Sequence, residues 1–471
     1  MRLRRRTLLG SAAAGALTAV GAYELVDRLT APAARPEILR RPPEQHILEG
    51  IRTVVDDDVE VLVPPLHHQV VTAKLRVDES RASLREARLE LEAILSGLDR
   101  DYAPTPAGLG LVIAWGLPYF RRYVAGQARV HVPVDVRASA ARGRSLRVLE
   151  DAERFPSDSE GTILEDNDVA VLLRSDAQRH IADAAARLFD ETQPLFRVTS
   201  IRKGFAGGGF DGQASLPKRI ALAAGIPGAE LIPDRSELFL GFTSTQKHGL
   251  GPRRIANFET LGYADLGPAG YFAGGTHMHL SHLFEDVEAW YINFDHRERV
   301  DTTFRPGLDV PRETLSVAQP PEDSATAAEL AADLEAHRRV GHSASIQPTS
   351  RLAEDVVGRD GVRYPRGTAV PQRADFNTID NPFFWSATPE RDGMVERPAA
   401  GVHFAAFNPT GDDFRRNRLA MDGMLPDGTR LPFEPGTRGL GFNSILATTH
   451  RQNFLVPARR HRSFPLSELT A

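Results

Sequence analysis

Apolar and polar residues near the start of the chain form two strand-like stretches with a helical pattern between them. VEVLVPPLHHQVVTAKLRV, residues 59–77, is rich in β-branched residues and alternates in polarity after Pro64-Pro65, which predicts extended structure. GLGLVIAWG, residues 108–116, predicts a buried strand. Between the two, apolar residues recur at helical spacing, at Leu84, Leu91, Leu95 and Leu98.

The same order then repeats. DVAVLLRS, residues 168–175, and LFRVTSIRKGF, residues 195–205, predict two further strands. A helix is predicted between them, capped by Ser175 or Asp176 and carrying one apolar face, namely Ala177, Ile181, Ala184 and Leu188. Strand–helix–strand twice over is the signature of a split βαβ, ferredoxin-like unit.

The second half repeats this theme with more irregular sequence. THMHLSHLF, residues 276–284, predicts a strand that runs into a short helix, and GVHFAAFN, residues 401–408, predicts another strand. A helix is expected from Asp412 or Asp413 to Gly423, and another over 325–339. The long loop-rich stretches 306–324 and 351–380 are expected to wrap or cover a site.

The composition of the chain excludes several classes of partner and of active site. The 471 residues are 41% hydrophobic and 25% charged, which is typical of a globular protein of one to three domains. The net charge of −5 gives no basic field for nucleic acid, so no nucleic-acid partner is expected. The chain has no cysteine, which excludes disulfides, thiolate nucleophiles and iron–sulfur clusters. We find no G-x-S-x-G, H-E-x-x-H or P-loop motif, which disfavours a hydrolase.

The first residues resemble an export signal. Arg5 and Arg6 precede Thr7-Leu8-Leu9 and an apolar run of small residues, as in twin-arginine signals; a plain secretory signal is the alternative. We therefore expect a signal segment over 1–35, a linker over 36–58, and a periplasmic, extracellular or cell-surface location. Ala31-Pro32-Ala33 is a candidate cleavage site, and an uncleaved anchor is the alternative. No other stretch is apolar for long enough to span a bilayer.

Three closely spaced histidines suggest a metal site. His277 and His279 share one face of a strand, because strand side chains alternate, and His282 follows closely. Imidazole ligands suit zinc or copper. The competing interpretation is that they are polar residues on a half-exposed strand.

Several segments, in order, resemble the dye-decolorizing (DyP-type) peroxidase superfamily. They are VLVPPLHHQVVTAKLRV, GLGLVIAWGLPYF, RKGFAGG, FAGGTHMHLSHLFEDVEAW and AGVHFAAFNPTGDDFRRNRLAMDG. The resemblance implies an α+β fold of two ferredoxin-like halves of the dimeric α/β-barrel type, over 59–245 and 246–471, with antiparallel sheets and peripheral helices. It also implies haem b in the second half, oxidation of a small organic reductant by H2O2, and a possible homo-oligomer.

The resemblance also implies which residues form the site. In GHSASIQPTSR, His342 corresponds to the proximal iron ligand of the family, with His337 as the fallback. In VPQRADFN, Arg373 corresponds to the distal arginine. In LFLGFTSTQKHG, Ser244 stands where the family has its catalytic distal aspartate.

That serine is a departure from the family pattern. A hydroxyl titrates too high to move a peroxide proton as a carboxylate does. Asp211, in the literal G-x-x-D-G of GGGFDG, is therefore kept as an alternative distal acid, although Asp and Gly there also suit a turn. If Ser244 does replace the aspartate, the alternative function is a DyP-like fold that binds haem, or copper or zinc through His277, His279 and His282, with weak or no peroxidase activity.

Overall fold

The computed structural model of the protein describes residues 41–189, 195–317, 325–380, 398–432 and 441–470. The predicted signal segment, 1–35, and the first part of the predicted linker lie outside these ranges. The rest of the linker contributes a hairpin, in which Arg52–Asp56 (β1) pairs with Val59–Val63 (β2). Asp57 and Asp58 both have positive φ, as a two-residue type I′ turn requires. No helix of the described residues is long and apolar enough to cross a membrane.

The strands and helices follow the predicted order. The remaining strands are His67–Leu75 (β3), Gly110–Gly116 (β4), Val134–Asp135 (β5), Ile163–Leu164 (β6), Val169–Ser175 (β7), Phe196–Phe205 (β8), Ala264–Asp265 (β9), Thr276–Glu285 (β10), Val356–Val357 (β11), Arg363–Tyr364 (β12), Gln372–Arg373 (β13), Phe376–Thr378 (β14), Gly401–Asn408 (β15) and Leu446–Val456 (β16). The helices are Arg81–Asp101 (α1), Leu117–Arg122 (α2), Ala125–His131 (α3), Val136–Arg142 (α4), Gln178–Phe189 (α5), Leu216–Ala223 (α6), Val287–Asn293 (α7), His296–Thr303 (α8), Ala327–His337 (α9), His342–Ser350 (α10) and Gly411–Met421 (α11).

Eight of these strands close into a barrel. Their order is β10-β15-β14-β8-β3-β7-β4-β16, and β16 pairs with β10 to complete the ring. Within the first half the spatial order is β8-β3-β7-β4, and within the second half it is β16-β10-β15-β14. Numbered along each half, both orders read 4-1-3-2, which is the ferredoxin-like arrangement. The predicted fold class is confirmed.

Strand alternation divides the side chains between the barrel interior and its outer face. One buried apolar cluster fills the interior and includes Val70, Val112, Leu172, Met278 and Phe454. On the outer face of the first half, α1 and α5 cover a second cluster through their predicted apolar stripes, namely Leu84, Leu91, Leu95 and Leu98 on α1 and Ile181, Ala184 and Leu188 on α5. These stripes form because residues three and four apart share one helix face.

The outer face of the second half is covered differently. Helix α11 contacts β10 and β15 and also packs on α10, and the two helices leave a cavity between themselves and the sheet. This cavity occupies the place that α1 and α5 fill with apolar side chains in the first half. The second half therefore has room for a ligand where the first half has a packed core.

Candidate functional site

The cavity lies between the outer face of the second-half sheet and helices α10 and α11. Its empty space, counted together with its opening to solvent, is about 1770 Å³. Its apolar wall residues include Leu238, Leu240, Phe242, Leu283, Phe304, Ile346, Val402, Phe404, Phe414, Met421 and Phe442. The polar groups described below converge on this apolar space.

Strand periodicity explains which residues face the cavity. On β10 every second residue lines it, namely Ser281, Leu283 and Glu285, and on β15 the same holds for Val402, Phe404, Ala406 and Asn408. The intervening residues point into the barrel. A shift of one residue in either strand would exchange the two sets, so the register fixes the composition of the cavity wall.

His342, the predicted iron ligand, lies on the helical wall as the first residue of α10. Its ring centroid lies 4.8 Å from that of Phe442. Nδ1 is buried without a hydrogen-bond partner in the described structure, whereas Nε2 is not enclosed in this way, which leaves Nε2 as the nitrogen open to the cavity. Burial, and then the charges of the nearby Arg373 and Arg418, lower the pKa of His342 to about 3. The imidazole is therefore neutral at physiological pH, which is the form that binds metals.

Two glycines hold His342 in place. A Cβ at Gly341 would lie 2.1 Å from the carbonyl oxygen of Phe304, a distance that real Cβ atoms do not adopt. Gly441 has φ of +57°, and a Cβ there would lie 3.2 Å from the backbone nitrogen of His342. Gly341 thus lets the chain pass close to Phe304 immediately before His342, and Gly441 lets a second segment pass close to His342 itself. His337, the fallback ligand, is an exposed residue at the end of α9.

The two predicted distal residues, Arg373 and Ser244, meet on the opposite side of the cavity. The Nη2 group of Arg373 donates a hydrogen bond to the backbone carbonyl of Ser244. Glu237 holds the loop that carries Ser244. Its carboxylate accepts hydrogen bonds from the backbone N–H groups of Ser244, at 2.7 Å, and Thr245, at 3.0 Å. Burial raises the pKa of Glu237 to about 7 although these hydrogen bonds favour the carboxylate.

Two carboxyl groups that the sequence analysis missed also line the cavity. Asp375 stands two residues after Arg373 and is 9% exposed, and Glu285 ends β10 and is 2% exposed. Burial, and then the charge of Asp375, raises the pKa of Glu285 to about 8, so Glu285 is protonated at neutral pH. The available signal was the alternation in QRADFN, where Arg373 and Asp375 occupy one strand face.

Further arginines lie at the other side of the cavity. Arg418 of α11 pairs with Asp422 at 2.8 Å, and Arg451 of β16 pairs with Asp158 at 2.7 Å. Both arginines line the cavity and are nearly enclosed. Arg451 lies within β16, Leu446–Val456, which pairs with β10 and β4.

Asp211, the alternative distal acid, lies elsewhere. It is exposed and does not line the cavity. Its carboxylate accepts the backbone N–H of Gln213 at 3.1 Å, while Gly208 and Gly212 have positive φ. The G-x-x-D-G motif at this position is a surface turn.

The three histidines near the start of β10 do not converge. His277 and His279 share the outer face, as predicted, but His282 points into the barrel, where its Nδ1 lies 2.6 Å from the hydroxyl of Thr449. The ring of His279 stacks on Phe414 with a centroid distance of 3.4 Å, and its Nδ1 lies 2.8 Å from Asn453 Oδ1. Within the described ranges no group of three His, Asp or Glu residues is placed to hold a metal ion. The alternative copper or zinc site is therefore wrong, because residues an odd number apart on a strand face opposite sides.

Comparison with known proteins gives a family and a fold. A model described as "Family of unknown function (DUF7405)" matches residues 65–458. No curated protein matches the chain. Among solved structures, a DyP-type peroxidase from Cellulomonas bogoriensis is 16% identical, with 89% of this chain and 96% of that chain covered and a TM-score of 0.50.

Two further solved structures are similar at lower scores. A dye-decolorizing peroxidase from Bacteroides thetaiotaomicron is 11% identical, covers 87% of this chain and 97% of its own, and has a TM-score of 0.47. A DypB variant from Rhodococcus jostii in complex with heme is 13% identical, covers 85% and 96%, and has a TM-score of 0.43. At 16% identity, the similarity to the Cellulomonas bogoriensis structure shows a shared fold and nothing about activity.

Proposed function

The chain belongs to the family of unknown function DUF7405, and from its site we propose that it is a haem-dependent peroxidase that reduces H2O2 at the expense of small organic donors. One observation carries this proposal. A neutral imidazole, His342, and a guanidinium, Arg373, lie on opposite walls of one large apolar cavity, near enough for the charge of Arg373 to lower the pKa of His342.

The residues present fit a haem. His342 offers a single neutral nitrogen, as an axial ligand requires. The sheet and helix walls are apolar, which suits the faces of a porphyrin, and Arg373 supplies a cation on the sheet side. Among the described residues that line the cavity, His342 supplies the imidazole that would hold the iron.

Each residue has a distinct task in the proposed reaction. When bound, the haem would supply the electrons that cleave the O–O bond, and organic donors would replace them. His342 would hold the cofactor through Nε2. Arg373 stabilises the negative charge that develops on the peroxide as the bond breaks, because a fixed cation acts strongly in an apolar site. The apolar walls exclude water and so strengthen that interaction.

The spectrum of the reconstituted protein tests the proposal. Purified protein incubated with haemin should show a Soret band that changes on addition of H2O2, and it should oxidise a dye. His342→Ala should abolish the band, whereas His337→Ala, an exposed control, should retain it. A wild-type protein without a Soret band, or one whose spectrum survives His342→Ala unchanged, would overturn the assignment.

Ser244 favours a second candidate function. At the loop position where DyP-type peroxidases have an aspartate, this chain has the hydroxyl of Ser244. The protein could therefore bind haem and turn peroxide over slowly or not at all. A stable Soret band without dye oxidation, at H2O2 concentrations that the protein survives, would establish this function. Fold alone does not decide between the two.

We also propose export by the twin-arginine route, on the strength of Arg5 and Arg6 ahead of an apolar run. Replacement of both arginines by lysine should retain the protein inside the cell, as measured by cell fractionation. Export that persists after this replacement would indicate the plain secretory route.

A further inference from the structure

The proposed peroxidase site contains a distal cation but lacks a carboxylate at the expected loop position. At Ser244, the backbone N–H is bound to Glu237 and the backbone carbonyl accepts from Arg373, so this residue serves to position the loop and the arginine. Peroxide cleavage also needs a group that moves a proton between the two oxygens. We propose, on the basis of the proposed function, that Asp375 is this group, a catalytic residue supplied by the sheet instead of the loop.

Asp375 reaches the cavity by simple strand alternation. Arg373 ends β13 and Phe376 begins β14, so the four residues 373–376 run along one extended segment. Ala374 and Phe376 belong to the apolar cluster inside the barrel, and Arg373 and Asp375 line the cavity outside it. Arg373 and Asp375 are therefore neighbours on one rigid wall of the cavity. A site that transfers a proton and stabilises charge at the same place needs such fixed neighbours.

Asp375 is a largely buried residue whose carboxylate makes no contact within the described ranges that stabilises the fold. The residue is 9% exposed, and among the described residues no hydrogen bond or ion pair to its carboxylate is present. Buried carboxylates are normally paired, so one that faces a cavity without a partner points to a ligand. Asp375 is both buried and without a partner in the part of the chain that the structure describes, which distinguishes it from surface acids, whose carboxylates are hydrated and need no partner.

The other acids near the cavity are not suited to the task. Glu237 does not line the cavity, and its oxygens accept from the N–H of Ser244, the N–H of Thr245 and the hydroxyl of Thr245. Glu285 lines the cavity, but burial and the charge of Asp375 keep it protonated at neutral pH, so it cannot accept a proton there. Asp211 lies on the surface. Asp375 is the remaining acid within reach among the described wall residues.

The proposed proton movement balances. Asp375 accepts the proton from one oxygen of H2O2 and returns it to the other oxygen, which leaves as water when the O–O bond breaks. The remaining oxygen is released as a second water after two organic donors, AH, each supply one electron and one proton. The overall reaction is H2O2 + 2 AH → 2 H2O + 2 A•, and Asp375 ends in the state in which it began.

The substitution Asp375→Asn tests the assignment, because the side chain keeps its size and loses its proton-accepting oxygen. In haem-loaded protein the resting Soret band should persist, while the rate of its change with H2O2 should fall about 10²–10⁴-fold. Asp211→Asn is the matched control and should leave that rate unchanged.

A second readout does not depend on peroxide. Removal of a negative charge from the cavity should lower the pH midpoint of the resting Soret spectrum by about one unit, since a carboxylate disfavours hydroxide there. Ser244→Asp introduced into the Asp375→Asn protein should restore the peroxide rate at least tenfold, because it returns a carboxylate beside Arg373.

The possible failures are distinguishable. A wild-type protein that never shows a Soret band overturns the proposed haem function and this inference with it. A normal Soret band with an unchanged peroxide rate and an unchanged pH midpoint in Asp375→Asn overturns the Asp375 assignment alone. A lowered rate that Ser244→Asp does not restore, with an unchanged pH midpoint, assigns Asp375 a purely structural role and also overturns the proposal.

Discussion

The carboxylate of Glu237 accepts the backbone N–H of Ser244 at 2.7 Å, and the carbonyl of the same serine accepts a hydrogen bond from Arg373. A buried acid, a loop and the cavity cation are thus joined through one peptide segment. The loop is held by hydrogen bonds to Glu237, and burial of Glu237 raises its pKa and so disfavours the carboxylate form. The position of Arg373 therefore depends on the protonation state of a residue outside the cavity.

Glu237 should make the protein less stable as the pH rises. Its pKa is raised from 4.5 to about 7 in the folded protein, so between these values the folded state binds a proton that the unfolded state has released. Stability therefore falls across that window, by about 3 kcal/mol in total, and is constant above it. Denaturant unfolding at pH 5 and pH 8 should show a smaller difference for Glu237→Gln than for wild type. The exposed control Glu230→Gln should behave as wild type, and an unchanged difference in Glu237→Gln would contradict the prediction.

His277 should destabilise the protein in acid. Burial lowers its pKa from 6.5 to about 3, so between these values the unfolded state binds a proton that the folded state does not. The contribution of His277 to stability is therefore present above pH 6.5 and lost as the pH falls toward 3. His277→Leu should make the acid-side loss shallower by about 1.4 kcal/mol per pH unit, measured by unfolding at pH 4 to 6. The exposed His337→Leu serves as control, and equal slopes in all three proteins would refute the effect.

Arg373→Gln should slow the reaction with peroxide in haem-loaded protein about 10²–10³-fold, because the charge that stabilises the breaking O–O bond is removed. The Soret band at rest should remain, since His342 is retained. Stopped-flow absorbance with H2O2 measures the rate. Arg312→Gln, on the exposed surface, should be neutral. A full rate in Arg373→Gln would assign Arg373 to loop positioning through Ser244 and not to charge stabilisation.

Gly441→Ala should weaken haem retention. Its positive φ of +57° strains any alanine, and the new Cβ would lie 3.2 Å from the backbone nitrogen of His342. Gly428 has positive φ as well but nothing within 4 Å of its Cβ position, so Gly428→Ala should cost only the backbone strain, about 1 kcal/mol. Gly441→Ala should show that cost and, in addition, faster loss of haemin to an acceptor protein. Equal haem loss in the two variants would show that the contact with His342 tolerates the methyl group.

The barrel and its site residues were predictable to different degrees. The strands Thr276–Glu285 and Gly401–Asn408 agree with the predicted strands to within one residue, because a buried strand between polar loops has a strong local pattern. His342, Arg373 and Ser244 line one cavity although they are far apart in the sequence. They were selected by resemblance, since periodicity alone does not distinguish them from surface residues.

The features that were missed have physical reasons. Helix α10, His342–Ser350, contains Pro348 and has no apolar stripe, so its local sequence does not predict a helix. It forms because it packs on α11 and on the end of α8, which is tertiary information. Asp375 lies in a stretch interpreted as a loop, so its alternation with Arg373 was not used. His282 lies an odd number of positions from His277 and His279, so strand alternation places it inside the barrel; the sequence analysis grouped the three by their short spacing instead.

The closing strand of the barrel has a consequence for how the protein matures. Residue 454 of β16 pairs with residue 116 of β4, and β16 also supplies Arg451 and Thr448 to the cavity wall. Such distant pairing forms late, since a long stretch of chain must be ordered first. A ribosome-bound nascent chain that lacks this strand has one wall of the pocket missing. On the proposed function, haem loading should follow completion of synthesis, because a chain that lacks β16 lacks one wall of the pocket.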